Sequence, residues 1–479
     1  MLWLALRLPL LPLEVFPQRP PPSAVIANDR IVACDPSAAQ GGVFPGMRLA
    51  DAWALLPGLT VLERCAEREQ RQLTALACWS GQFTSEVSLS PPAALLLEIG
   101  GSLRLFGGLE ALLARVESGC LAQGHAPSIA VAPTPLAALW LAEESPGSRC
   151  LAMPALREAV AGLSLAALAL PPTLQARAAA FGVRRFGDLL RLPRAGLARR
   201  LGPEFALMLA RGLGEVGDPR PRFAFPDTFA ESLELPARVQ DAERLLFASQ
   251  RLLRICCGWL AARTAGVREL SLEMAHETYA AADRRSASVL ELRFAAPTCD
   301  GERMARVLRE HLGQLALAAP VTALRLLAGR VEPLPGRERG LFGDAAGDEG
   351  VAVLVERLQA RLGSDAVHGV AALPAHRPEC ASLPVPAGAG RAVPAAGARP
   401  CWLFAQPEAL AEIGGRPQRG GPLDLLSGPE RIESGWWDSG ESGSPGDVRR
   451  DYFVALSPRK EWLWIFRSAQ GWFLHGLFS

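Results

Sequence analysis

Residues 23–59 read SAVIANDRIVACDPSAAQGGVFPGMRLADAWALLPGL, and their order decides the fold class. Ser23–Cys34 reads as a β-hairpin, with Asn28-Asp29 placed to make its turn. Met47–Leu56 is helical, and Pro57-Gly58 ends it. Strand, turn and helix thus follow one another within forty residues, which points to mixed α and β structure.

The neighbouring segments extend the pattern. Residues 2–8 are apolar on both faces, as a buried central strand is. A helix runs from Glu67 to about Phe83, a strand covers Ala93–Ile99, and Gly100-Gly101 turns the chain. Leu109–Gln123 reads as a helix, Ser128–Ala132 as a strand and Pro135–Glu144 as a further helix. The sum is an α+β sheet domain, expected to be covered on one face.

From about 166 to 218 the pattern is purely helical. FGVRRFGDLLRLP (181–193) and RLGPEFALMLARGLG (200–214) resemble helix–hairpin–helix units, whose turn N–H groups and helix N-termini can hold a DNA phosphate. Ten arginines face four acids between Arg177 and Arg222. Next comes a long amphipathic helix over 239–263, then strands near 267–276 and 286–294, a helix near 301–317 and a strand near 321–331. That α-β-β-α-β order is a small split sheet with helices on one side. Residues 332–350 form a Gly/Pro/charged linker with one apolar pair, Leu341-Phe342. A helix is expected at 351–362, and flexible chain over the Pro/Ala/Gly-rich stretch 377–400.

The last 80 residues hold six of the eleven tryptophans, at 402, 436, 437, 462, 464 and 472. RRDYFVAL and EWLWIFRSAQGWFLHGLF read as three short aromatic strands turning at Ser457-Pro458 and Gln470-Gly471. Such side chains build the core of a small β module, and any surplus left exposed makes a docking surface.

Bulk properties narrow the function classes. A formal net charge of +1 gives no global polyanion signature, so a nucleic-acid face must be local. Lys460 is the only lysine, so 49 of the 50 basic residues are arginine. Ten cysteines without a CxxC pair indicate neither a zinc site nor a disulfide framework, which suits a reducing cytosol. The opening MLWLALRLPLLPLEVF is not expected to act as a signal peptide, because Arg7, Pro9 and Pro12 interrupt it and no small-residue cleavage site follows. The uncharged stretch 118–142 carries Gly119, Gly124 and three prolines, which argues against a membrane helix. The expectation is a soluble cytoplasmic protein.

The order of sheet domain, helix–hairpin–helix domain and split sheet resembles the Y-family translesion DNA polymerases. VACDPSAAQGGVFPGMRLADAWALLPGL (32–59) is similar to the family's fingers segment, LLLEIGGSLRLFGG (95–108) to the strand and turn after its central acidic motif, and PSIAVAPTPLAALWLA (127–142) to its last palm strand and helix. The C-terminal GPERIESGWW, VRRDYFVA, WLWIFR and GWFLHGLF resemble the tail of the ImuB-type branch, specialised for induced mutagenesis. The resemblance implies palm and fingers over 1–165, a thumb over 166–221, a little finger over 222–331, a linker with a clamp-binding peptide and one helix over 332–400, and a partner-docking module over 401–479.

It also implies what is missing. A polymerase palm holds two Mg²⁺ through clustered carboxylates. The family's first aspartate falls on Arg7 and its companion on Pro9. The adjacent Asp-Glu pair falls on Ala93 and Ala94, the triphosphate-gripping Tyr and Arg on Pro36 and Ala39, and the palm lysine on Pro135. Glu98 matches a position downstream of the metal ligands. The expectation is a non-catalytic adaptor without metal or cofactor. DNA contact is expected from Arg184, Arg185, Arg191, Arg194, Arg199 and Arg200, and sliding-clamp contact from Leu341 and Phe342. Pro422–Leu426 is a competing clamp segment. By resemblance, Trp436, Trp437, Trp462, Trp464 and Trp472 dock partners: ImuA, a RecA homologue, and an error-prone DnaE-type polymerase. An SOS link belongs to the same inference.

Two rivals stand beside it. One is an active Y-family polymerase with a rearranged metal site, drawing on Glu14, Asp29, Asp35, Asp51, Glu86 and Glu98. The other is a plain single-strand DNA-binding protein.

Overall fold

The first strand is the keystone of the N-terminal sheet. β1 (Trp3–Arg7) lies inside a four-stranded sheet of order β5-β6-β1-β7, with β5 spanning Val87–Ser90, β6 Ala94–Glu98 and β7 Ser128–Ala132. Its apolar run serves two faces at once. Leu4, Leu6 and Leu8 join Leu73, Leu76, Leu112 and Val116 of helices α4 (Ala66–Ser80) and α5 (Leu109–Leu121). Ala5 packs with Leu96, Ala130 and Ala132 beneath α6 (Pro135–Glu144). The sheet is therefore covered on both faces, not on one as the sequence suggests. The small residues Ala5, Ala130 and Ala132 on one side, with Ala137 and Ala138 opposite, give α6 a close seat.

The described residues are 1–276, 287–315, 317, 319–334, 354–359, 361–363, 366–386, 399–434 and 448–478 of this computed structural model. The chain divides into two units, Met1–Glu356 and Arg357–Ser479.

In the first unit, α1 (Leu11–Glu14) leads to the hairpin of β2 (Ser23–Ala27) and β3 (Arg30–Cys34). Asn28 and Asp29 make its turn with φ of 50° and 58°, as the sequence indicates. β4 (Thr60–Glu63) adds a parallel strand to β2. Helices α2 (Pro36–Gln40) and α3 (Leu49–Leu55) enclose a small core of Ile26, Ile31, Val43 and Leu59. After α7 (Met153–Ala161) come α8 (Pro172–Ala180), α9 (Phe186–Arg191), α10 (Arg194–Leu201) and α11 (Pro203–Gly212), packed around Phe186, Leu189, Leu197 and Leu209.

The split sheet carries two strands more than the three the sequence pattern suggests, β8 and β12. β8 (Ala230–Val239) precedes α12 (Ala242–Ala262), β9 (Ala265–His276), β10 (Ala287–Thr298), α13 (Gly301–Leu312), β11 (Val321–Ala328) and β12 (Val331–Pro333). β8 ends the sheet order β10-β9-β11-β8, and an edge place tolerates its Pro236. α12 is long and apolar enough to cross a membrane by length and composition, yet Leu252, Cys256 and Trp259 lie in the core. It packs on α4 at Gly258, where a Cβ would stand 2.3 Å from the Trp79 carbonyl oxygen. One core accordingly joins the N-terminal sheet to the split sheet.

The second unit holds the hairpin of β13 (His368–Ala372) and β14 (Ser382–Pro386), placing a strand inside a stretch expected to be flexible. Its main sheet has six strands in the order β16-β15-β20-β19-β18-β17. These are β15 (Trp402–Ile413), β16 (Arg416–Gln418), β17 (Asp424–Ser434), β18 (Val448–Leu456), β19 (Trp462–Ser468) and β20 (Gly471–Leu477). The three aromatic strands read from sequence are β18 to β20.

Candidate functional site

Backbone pairing brings four of the expected palm positions together. Arg7, the last residue of β1, stands opposite Ala94 on β6 and Ser128 on β7. The next N–H, of Leu8, donates to the Ala93 carbonyl at 2.8 Å, and Pro9 follows on the surface. The half-buried Arg7 guanidinium is held by Glu143, at the end of α6. Sequence reasoning missed Glu143. It lies far along the chain, and only the folding of α6 over β1 brings it near. Pro36 and Ala39 are exposed on one side of α2, and Pro135 is buried in the first turn of α6.

The acids of the rival reading are engaged elsewhere. Glu98 lies opposite Trp3, at the far end of β6 from Ala94, about 13 Å away at the usual rise of a strand. Its Oε1 accepts from the N–H groups of Leu2 and Gly100 at 2.9 and 3.2 Å. Buried Asp35 caps α2, accepting from the Ser23 N–H and hydroxyl at 2.8 Å and from the Ala38 N–H at 2.7 Å. Glu14 accepts from His125 at 2.8 Å and from the Ala126 N–H at 3.0 Å. Glu86 pairs with Arg222, Asp29 sits in the hairpin turn, and Asp51 is exposed on α3. Among the described residues, no three His, Cys, Asp or Glu side chains gather where they could hold a metal ion.

The helical segment presents the arginines. Arg184, Arg185, Arg191, Arg199 and Arg200 are exposed around the α8–α9 turn, at the end of α9 and at the end of α10. Arg200 lies 4.6 Å from the centre of the Phe181 ring, and Arg191 stands 3.9 Å from Asp188. Arg194 differs: it is half-buried and ion-paired at 2.7 Å to Glu215, which also holds Arg157. In the first of the two helix–hairpin–helix-like units, the N–H groups of Arg184 and Arg185 are taken. Asp188 accepts from the N–H groups of Arg185 and Arg184 at 3.0 Å each, and these bonds hold its carboxyl below the usual range. At this turn the exposed side chains are what remain to meet a nucleic acid.

Among the described residues, the outward face of the split sheet carries no basic surplus. Glu269, Glu273 and Glu291 share it with Arg293 and Arg325, and Arg325 pairs with Glu273 at 3.3 Å. Leu341 and Phe342 lie outside the described residues, as do Trp436 and Trp437. In the competing clamp segment, Leu423 is 2% exposed and Asp424–Leu426 belong to β17, paired with β18.

The tail tryptophans divide. Trp464 is 2% exposed and stacks on Tyr452 with ring centres 4.1 Å apart, and Trp472 is 5% exposed against Phe453. Both build the core instead of a docking face, because β19 and β20 are inner strands with aromatic residues on both sides. Trp462, at the start of β19, is 52% exposed. Trp402, Leu425 and Leu426 are exposed as well, and aromatic enrichment in the sequence does not single them out.

Residues 18–143 match the family described as "IMS: impB/mucB/samB family". Protein ImuB of Caulobacter vibrioides, in strain NA1000 / CB15N and in strain ATCC 19089 / CIP 103742 / CB 15, is 30% identical over 475 residues, covering 91% of this chain and 100% of the relative. The chain belongs to the ImuB family. ImuB-family membership makes it a Y-family polymerase-like protein with a role in DNA damage and mutagenesis. Among solved structures, a Dbh ternary complex is 14% identical with a TM-score of 0.39, over 68% of this chain and 99% of that one. DinB from Sulfolobus solfataricus is 13% identical with a TM-score of 0.38, over 68% and 98%.

Proposed function

We propose that this ImuB-family chain is a non-catalytic, cytoplasmic adaptor of damage-induced mutagenesis, which binds DNA and gathers other proteins on it. The observation that carries the reading is the pairing of Arg7 with Ala94 and of Leu8 with Ala93 at one end of the sheet. Metal-dependent phosphoryl transfer needs carboxylates there. The residues present are a cation, two alanines and Pro9, and the acid beside them, Glu143, is committed to Arg7. That set does not fit a pair of divalent cations. The triphosphate grip is equally reduced at Pro36, Ala39 and Pro135.

The exposed arginines of the helical segment supply the DNA contact, through phosphates and without sequence choice. Partner roles rest on the family resemblance: Leu341 and Phe342 for the sliding clamp, and the module from 401 onward for an ImuA-like RecA homologue and an error-prone DnaE-type polymerase. Within that module the exposed Trp462 suits docking, whereas Trp464 and Trp472 support the fold. The domain limits at 165, 221, 331 and 400 belong to the same reading.

Primer extension with Mg²⁺ or Mn²⁺, run beside a DNA-binding titration on the same template, tests it. Binding without nucleotide incorporation is the expected result. Incorporation that disappears when Glu98 or Glu143 is replaced would make this an active polymerase with a rearranged metal site.

A further inference from the structure

α4 turns one side, formed by Arg68, Arg71, Gln72 and Ala75 at helical spacing, toward β8 of the split sheet. Between them lies an open cavity of about 400 Å³, walled also by Glu14 at the end of α1 and Val15 just after it, by Arg251 of α12 and by Ala323 of β11. Sites at such junctions of substructures are where small ligands commonly bind.

The polar groups around it are unevenly satisfied. Glu14 and Arg251 are tied to buried His125, Glu14 through the imidazole Nδ1 at 2.8 Å and Arg251 through Nε2 at 3.1 Å. That fixes a neutral ring donating at Nδ1 and accepting at Nε2, and burial lowers the His125 pKa in the same sense. Arg68 is paired with Glu234 at 3.2 Å. Two donors remain. Arg71 has no hydrogen bond or ion pair with a described residue, and the Gln72 Nε2 is buried with no partner. A third polar group, Glu231 on β8, is pushed up to about 7 by burial, with Arg71 opposing the shift, so it too carries a proton in much of the population near neutrality. An unpaired guanidinium beside an orphaned amide N–H calls for a ligand that offers acceptors.

We propose that this cavity binds a phosphate-type oxyanion, with Arg71 and Gln72 donating to its oxygens. Arg71 supplies the charge and a planar fork, and Gln72 gains the acceptor it lacks. Glu231 adds a further donor while protonated. The charged and titratable groups around it are Arg68, Arg71 and the Cys78 thiol on α4, Glu14 after β1, Arg251 on α12 and Glu234 on its own strand. The site is separate from the exposed arginines of the helical segment and does not depend on the adaptor reading. The phosphate has two candidate sources, a free nucleotide or the backbone of bound DNA.

The test uses the full chain with sulfate, an oxyanion that does not titrate near neutrality, followed by calorimetry and thermal melting. A deoxynucleoside monophosphate and a short single-stranded oligonucleotide form the other arms. Sulfate should raise the melting temperature and bind more tightly at pH 6 than at pH 8. Arg71→Ala, a surface change, should weaken it about tenfold or more. Glu231→Gln, which keeps a donor, should bind with little pH dependence. If Arg71→Ala also weakens the nucleotide but spares the oligonucleotide, the source is free phosphate; if the oligonucleotide weakens as well, it is DNA. Absence of sulfate binding, or sulfate binding unchanged by Arg71→Ala in a variant with wild-type circular dichroism, would overturn the proposal.

Discussion

Arg7 and Glu143 are joined by an ion pair that ties the end of β1 to the last turn of α6. Both side chains are about one-third exposed, so water screens much of their attraction. The pair's significance is positional. It places a cation and its own counter-charge where the sheet brings Ala93 and Ala94 alongside. The neighbouring acid on α6 is no substitute, since Glu144 accepts from the Ser164 N–H at 2.7 Å.

Replacing either partner should therefore cost little. Arg7→Ala and Glu143→Ala are each expected to destabilise the first unit by less than about 1 kcal/mol, with a coupling of about 0.2–1 kcal/mol in a double-mutant cycle followed by urea denaturation. Neither variant should incorporate a nucleotide. A coupling several times larger would mean that the pair is shielded from water far better than its exposure suggests.

The exposed arginines should reveal themselves through salt. On single-stranded DNA, each phosphate that a protein ceases to neutralise lowers the slope of log affinity against log salt by about 0.7. The triple replacement Arg184→Ala, Arg185→Ala and Arg191→Ala is thus expected to reduce the slope by about 2 and to weaken binding at low salt. Arg194→Ala should leave the slope unchanged, because that guanidinium is engaged by Glu215. A fluorescence-anisotropy titration at several salt concentrations separates the two outcomes.

Local signals in the sequence carry much of the architecture. Asn28-Asp29 marks the hairpin turn, Pro57-Gly58 the end of α3, and aromatic alternation the strands β18 to β20. Strands without such signals escape it. β8 alternates charged and apolar residues around Pro236, and β15 and β17 include Pro407 and Gly428-Pro429, which read as breaks. Their partners across the sheet stabilise them despite weak local preference. For the palm site, the sequence locates Arg7, Ala93 and Ala94 only through family resemblance, since nothing local says that they meet. Glu143 carries no motif at all. Its role arises when the alanines of α6 settle on those of the sheet.

In the second unit, burial separates two tryptophans that look alike in the sequence. Trp464→Ala should destabilise that unit by about 3–5 kcal/mol, because it empties a site enclosed by Tyr452, Phe466 and His475. Trp462→Ala should change stability by no more than about 0.5 kcal/mol. Loss of a partner in pull-down from Trp462→Ala alone, with unfolding unchanged, would identify a docking residue. Equal destabilisation by both replacements would contradict their difference in burial.

Glu231 gives the first unit a dependence on pH whose sign follows from its environment. Burial raises its pKa from the ordinary 4.5 to about 7, because the charged form is poorly solvated between β8 and α4. The folded state therefore holds the proton more tightly than the unfolded chain does. Below about pH 4.5 both states are protonated and the group is neutral to stability. As pH rises from there to 7, the unfolded chain loses its proton first and stability falls, the loss being complete above the folded pKa. A shift of this size corresponds to about 3 kcal/mol at about pH 8, as an upper figure. Glu231→Gln removes the titration, so it should raise the unfolding free energy at about pH 8 and have little effect at about pH 4.5. Urea denaturation of both proteins at the two pH values measures the difference. A gain equal at both would trace the effect to packing, and no gain at the higher pH would mean that Arg71 stabilises the carboxylate enough to cancel its burial.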